Sequence, residues 1–238
     1  MTFGSPSIVW GNELCWWMAA AAGQDDPMPV LCPLADAAGI ALGAISRLAD
    51  RLADRRGLAP PQLALPPEVL EDLRGLFGDA FDPTAVMIRR GHVPGIPHPR
   101  AFALPGLIYL GSDAGIVRTD RPRATPTLVH ELAHVWQGRH VGPRYVPRAI
   151  LEQLRLGRRA YDWRRVLDRP AGAACRPGGR GDWPIEAHAQ LVSDAYAARY
   201  GFAGVAAGPV DARDREAMAA ALAGLREGVV APRPGASV

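Results

Sequence analysis

The chain has 238 residues, 48% of them hydrophobic and 21% charged, which excludes a disordered chain and fits one large domain, with or without a small appendage. No apolar run reaches the roughly 20 residues needed to span a bilayer, so no membrane span is predicted. The net charge is only +3, carried by 27 basic residues that are all arginine, and it gives no reason to expect a nucleic-acid partner.

At the N-terminus an apolar run, Leu14-Cys15-Trp16-Trp17-Met18, leads into four alanines. Glu13 precedes it and the first arginine is Arg47, so the basic region of a secretory leader is missing. The three cysteines, at 15, 32 and 175, form no CxxC pair and leave an odd one out. That favours a reducing compartment, hence a cytoplasmic location, with secretion or loading into a particle as the alternative.

Ala41, Ile45, Leu48 and Leu52 recur at helical spacing and predict a helix over residues 36–56, stopped by Gly57. A Pro-rich linker at 58–66 precedes a second helix over 67–77, ended by Gly78. Residues 85–89 read as a strand, the three prolines within 91–100 as a loop, and 101–110 as a hairpin about Pro105-Gly106. Thr125-Pro126 opens a helix, as cap and first-turn proline, that Gly138 is expected to close. Further helices are expected over 147–160, over 184–200 with Gly201 as the stop, and over 211–227. A Gly/Arg loop at 172–181 and a disordered tail at 231–238 complete the chain. The predicted organisation is an N-terminal helical extension (1–60), a central domain (65–205) and a C-terminal helix with its tail (206–238).

The helix after Thr125 carries His130-Glu131-Leu132-Ala133-His134. Two histidines at i and i+4 stand one turn apart on one face, so both imidazoles can reach one metal ion. In a zincin, Zn2+ lowers the pKa of a bound water and the adjacent carboxylate, here Glu131, removes its proton. The surrounding Leu128, Val129, Leu132, Val135 and Trp136 make the helix otherwise apolar, and burying two histidines and a glutamate there is costly unless they are paired or bound.

A catalytic zinc needs a third protein ligand. His140 stands six residues after His134, the spacing of the metzincin pattern HExxHxxGxxH. That pattern requires Gly where this chain has Gln137, and it requires a Met-turn, whereas the only later methionine, Met218, lies in a helical stretch. Glu186, near the start of the 184–200 helix, is the preferred ligand: an acidic residue on a second helix packed against the HExxH helix is the gluzincin solution. The competing reading of Glu186 is a favourable charge at a helix N-terminus. Gln190 and Asp194 lie on or close to its face and could orient a metal-bound histidine. His188 is about 200° round the helix from Glu186, so the two cannot face one metal. Tyr161, Tyr196 and the arginine cluster of residues 144–180 are candidates to stabilise an oxyanion.

The segments that carry a wider resemblance are Phe77-Gly78-Asp79 before Val86-Met87-Ile88, Gly106-Leu107-Ile108-Tyr109, Val129 to Gln137, Tyr161-Asp162-Trp163, and Ile185 to Val192. Over about residues 65–201 the chain resembles bacterial zincin-like metallopeptidases of the HELxHVxQ type, and more closely the small proteins described as Vgr-related. The last segment of those relatives reads EQQAEIV; here Glu186, Ala189 and Val192 match, Ala187 and His188 replace two glutamines, and Gln190 replaces the second glutamate. The resemblance implies His130, His134 and Glu186 as zinc ligands, Glu131 as base, and an association with contractile injection systems or polymorphic toxins.

Residues 144–180 hold ten arginines against Glu152, Asp162 and Asp168. They form either a solvated face or a docking surface for a secretion-system or toxin partner. Two functions are therefore expected to compete. One is a zinc-dependent peptidase acting on a protein or peptide. The other is an inactive zincin-like binding or structural component. The expected fold is α+β and mainly helical, with the HExxH helix, a second Glu-bearing helix and a small sheet lining the cleft, as in zincins.

Overall fold

In the computed structural model the described residues are 28–93, 100–117, 120–168, 183–202 and 209–230, the first five by backbone alone. The N-terminal apolar run, the cysteine side chains, the Gly/Arg loop at 172–181 and the tail at 231–238 lie outside them. Seven helices and two small sheets are described, and the class is mainly helical α+β. None of these helices is long and apolar enough to cross a membrane.

Helix α1 (Met28–Arg55) begins earlier than its periodicity suggests. Its apolar stripe faces outward: Ile45 is 65% exposed and Leu48 58%. The opposite face docks through the buried Asp50, which accepts a fork from Arg89 (Nε 3.0 Å, Nη2 2.8 Å) and the Tyr109 hydroxyl proton at 2.7 Å. Helix α2 (Pro67–Phe77) follows its local signals: proline at the first position, buried Val69, Leu73 and Leu76 at helical spacing, and Gly78 at positive φ as the stop.

Strands β1 (Met87–Arg89), β2 (Phe102–Leu104) and β3 (Leu107–Tyr109) form a three-stranded sheet in the order β1-β3-β2. The hairpin expected about Pro105-Gly106 pairs Leu104 with Leu107 and Phe102 with Tyr109, and β1 joins β3 in parallel. Gly106 supplies the positive φ of 75° that the two-residue turn demands. The central strand β3 is buried throughout. A second pair, β4 (Ile116–Val117) with β5 (Arg123–Ala124), was not legible in the sequence, since two residues are too few to show a period.

Helix α3 (Pro126–His140) opens as expected: Thr125 Oγ1 accepts from the Leu128 N–H at 3.1 Å. It does not close at Gly138. A Cβ at that position would stand 2.6 Å from the Tyr145 ring, so this glycine makes room for an aromatic neighbour and the helix runs on to His140. Every residue from Leu128 to Gln137 is buried, so the helix needs cover on all sides. Helix α6 (Ile185–Tyr200) supplies most of it, fastened where Ser193 Oγ donates to the Pro126 carbonyl at 2.8 Å. Helix α7 (Ala212–Glu227), opened by an Asp211–Asp214 capping box, covers another side, and its Leu225 carbonyl accepts from Trp136 Nε1 at 3.1 Å.

Helix α4 (Tyr145–Leu156) gives way to a 3-10 turn, Gly157–Tyr161, rather than running to 160, because Gly157 takes a positive φ of 55° that breaks the helical path. The short α5 (Trp163–Leu167) follows, capped by Asp162.

Candidate metal centre

Helix α3 presents His130 and His134 one turn apart, with their Nε2 atoms 3.1 Å from each other. Glu186, the second residue of α6, brings its Oε2 to 3.4 Å from both nitrogens. All three side chains are buried. In a tetrahedral centre with bonds of about 2.0 Å, neighbouring ligand atoms stand about 3.3 Å apart. The three donor atoms form a triangle of that size, and their chemistry, two imidazoles and a carboxylate, suits a divalent ion. Glu186 Oε2 has no hydrogen-bond partner among the described residues, as expected of an atom reserved for a metal.

The ring of His134 is oriented by a residue that sequence reasoning quoted but gave no role. Gln137 Nε2 donates to the Ile185 carbonyl at 2.9 Å, which fixes the amide so that Oε1 faces His134 Nδ1 at 2.8 Å. A carbonyl oxygen only accepts, so Nδ1 of His134 carries a proton, and Nε2 is the nitrogen that would give up its proton and offer a lone pair to a bound metal. The same amide nitrogen lies 3.2 Å from His188 Nδ1, which accepts from it. His188 thus faces away from Glu186, as the helical angle requires, and stacks on Trp136. The other oxygen of Glu186 is held by Gln153 Nε2 at 2.7 Å, and Glu152 accepts the N–H groups of Ile185 and Glu186, both at 3.1 Å.

Burial and charge act against each other here. Burial pushes Glu186 up, but the facing histidines, His134 foremost, hold it well below the usual carboxylate range. Burial pushes His134 down, yet the Glu186 carboxylate outweighs it and raises the ring to about 9. Burial, with the charge of His134 added, lowers His188 to about 4 and keeps it neutral. Burial dominates at Glu131, whose pKa is raised despite the two histidines beside it.

His130 and Glu131 line a cleft of about 1070 Å³, walled also by Tyr161, Trp163, Gln190 and Ser193. Tyr161 lies 5.7 Å from the His130 ring, centre to centre, and burial pushes its hydroxyl up to about 12, so it remains a protonated donor beside the site.

Four other expected residues lie elsewhere or act otherwise. Gln190 and Asp194 line the cleft but orient no histidine: Gln190 Nε2 and Trp163 Nε1 each donate to Asp194 at 2.7 Å, which occupies both its oxygens. Tyr196 packs on Tyr200 and Phe202, outside the cleft lining, because its position on α6 faces the core. His140 is exposed, lies tilted against the Trp136 ring at 4.6 Å between centres, and points Nε2 at the Ala80 carbonyl at 3.2 Å. With α3 unbroken through Gly138, a residue six positions on is turned away from the pair, and His140 does not join the cluster. Tyr145, which the sequence did not single out, stacks against the His134 ring at 6.2 Å between centres.

No model of a known protein family matches the chain, and no curated protein matches it. Among solved structures, the effector domain of Pseudomonas aeruginosa VgrG2b is similar at 25% identity over 71% of this chain and 98% of that one, with a TM-score of 0.39.

Proposed function

We propose that the chain is a zinc-dependent peptidase of the gluzincin type, with His130, His134 and Glu186 as ligands and Glu131 as general base. The triangle of donor atoms, 3.1 to 3.4 Å on a side, carries this reading. A zinc ion held there would supply Lewis acidity toward a peptide carbonyl and toward water. Glu131 stands next to His130, opens on the cleft, and has an oxygen without a partner among the described residues, which supports the role of taking a proton from water and passing it to the leaving amine. Its raised pKa favours holding that proton in transit. Tyr161 would hydrogen-bond the oxyanion that forms on the substrate. Gln137 keeps the His134 tautomer fixed throughout.

The test is zinc content and hydrolysis in wild type and Glu131→Gln. Near-stoichiometric zinc in both, with peptide hydrolysis reduced at least about a hundredfold in the variant, is expected. Zinc in both with no hydrolysis by either would leave an inactive scaffold instead. An association with an injection machine rests on the sequence resemblance alone, and co-purification with a spike protein would test it.

A further inference from the structure

Tyr145, Glu152 and Gln153 of the arginine-rich segment support the metal centre, whereas none of its described arginines joins the cluster, and two of them border the cleft. Arg158, on the 3-10 turn after α4, and Arg164, on α5, both line it, as does Arg100 just before β2. Arg100 hydrogen-bonds the Tyr161 side chain. Apart from Glu131, the carboxylates of the same cleft already have donors. Asp113 accepts from the Gly115 N–H and the Thr125 hydroxyl, each at 2.7 Å. Asp162 accepts from the Arg165 N–H at 3.1 Å, and Asp194 takes Trp163 and Gln190. Arg164 is bound to Asp214 at 2.8 Å and lies over the Trp163 ring. Arg158 differs from all of these: it is exposed and, among the described residues, makes no hydrogen bond or ion pair.

A guanidinium offers a planar fork of five N–H donors that matches a carboxylate in two-point contact. At the wall of a cleft that also contains His130 and Glu131, an unengaged fork selects what binds beside the reacting bond. We infer that the cleft prefers acidic peptide segments and that Arg158 receives a side-chain carboxylate of the bound peptide. This rests on the peptidase reading and adds the substrate class to it. Arg100 and Arg164 contribute positive potential, while their own hydrogen bonds keep them from being the principal contact.

The test uses peptides that differ at one position by Glu, Gln or Lys, scanned along both sides of a central bond. Binding is measured by fluorescence anisotropy to the zinc-loaded Glu131→Gln chain, with and without Arg158→Glu. Arg158 is on the surface, so its replacement is expected to leave folding intact. At some position the Glu peptide is expected to bind about tenfold tighter than the Gln peptide, with the Lys peptide weakest. Arg158→Glu is expected to reverse that order, and added salt to shrink it. Equal binding of the three peptides, no binding of any, or a Glu preference that survives Arg158→Glu would overturn the inference. Wild-type cleavage of the same peptides separates the two readings. A Glu preference in binding without any cleavage would refute the peptidase and leave the selectivity standing, whereas cleavage indifferent to charge would do the reverse.

Discussion

Gln137 does in this site what its neighbours in sequence cannot: it decides which nitrogen of His134 faces the centre. Its amide is locked by the Ile185 carbonyl, so its oxygen can only accept from His134 Nδ1. Gln137→Leu keeps the volume but removes the acceptor. Zinc affinity, measured by competition with a chromophoric chelator, is expected to fall about 10- to 100-fold, together with a loss of about 1–3 kcal/mol in apo-protein stability from the buried imidazole nitrogens left without a partner. An unchanged affinity would mean that packing alone, Tyr145 on one side and α6 on the other, orients the ring. The HExxH signal was legible because it lies within one helical turn. The role of Gln137 was not, because it depends on a carbonyl 48 positions away. Gly138 shows the converse. Its chemistry suggests a helix stop, but its neighbour in space, Tyr145, requires the missing side chain.

At the scale of elements, the placement of Glu186 is a capping problem. Helix α6 begins after Pro184, which has no side-chain acceptor for the first N–H groups. Glu152, from α4, supplies that acceptor for Ile185 and Glu186 together. Glu152→Ala leaves two N–H groups in a buried setting without a partner, and is expected to cost about 1–2 kcal/mol in chemical unfolding. Because one of those groups belongs to Glu186, zinc affinity is expected to fall in the same variant, whereas a cap of ordinary kind elsewhere, such as Asp211 on α7, should affect stability alone. Most helix ends were legible, since Thr125-Pro126, Gly78 and Gly201 act within a few residues of the end they set, Thr125 through its hydroxyl and the glycines through their backbones. A cap donated from another helix leaves no trace beside the helix it serves.

At the scale of the molecule, α1 is tied to the sheet by Asp50 rather than by its apolar stripe. Burial works to raise the Asp50 carboxyl, but the Arg89 fork and the Tyr109 hydroxyl more than offset it, and its pKa lies below the usual value. A carboxyl lowered in this way contributes stability that is fully present above the ordinary aspartate pKa of about 3.9 and is lost as pH falls through the folded value. Asp50→Asn is therefore expected to lower stability by on the order of 3 kcal/mol at pH 7, with the gap to wild type narrowing below about pH 4. Thermal melts at pH 7, 5 and 3 would check this, and a gap independent of pH would show that shape rather than charge holds α1.

By itself the sequence determined most of the longer helices, the hairpin about Pro105-Gly106 and the pairing of His130 with His134 on one helix face. These depend on residues within a few positions of each other, where propensity, capping and helical spacing act directly. The sequence also preferred Glu186 to His140, and the fold brings Glu186 to the pair; the tertiary structure alone decided that Gln137 rather than Gln190 or Asp194 orients a histidine, and that Arg158 lines the cleft. Each of these depends on which helix packs against which, and at what rotation. Burial of whole faces sets that packing, and no local pattern in the chain records it.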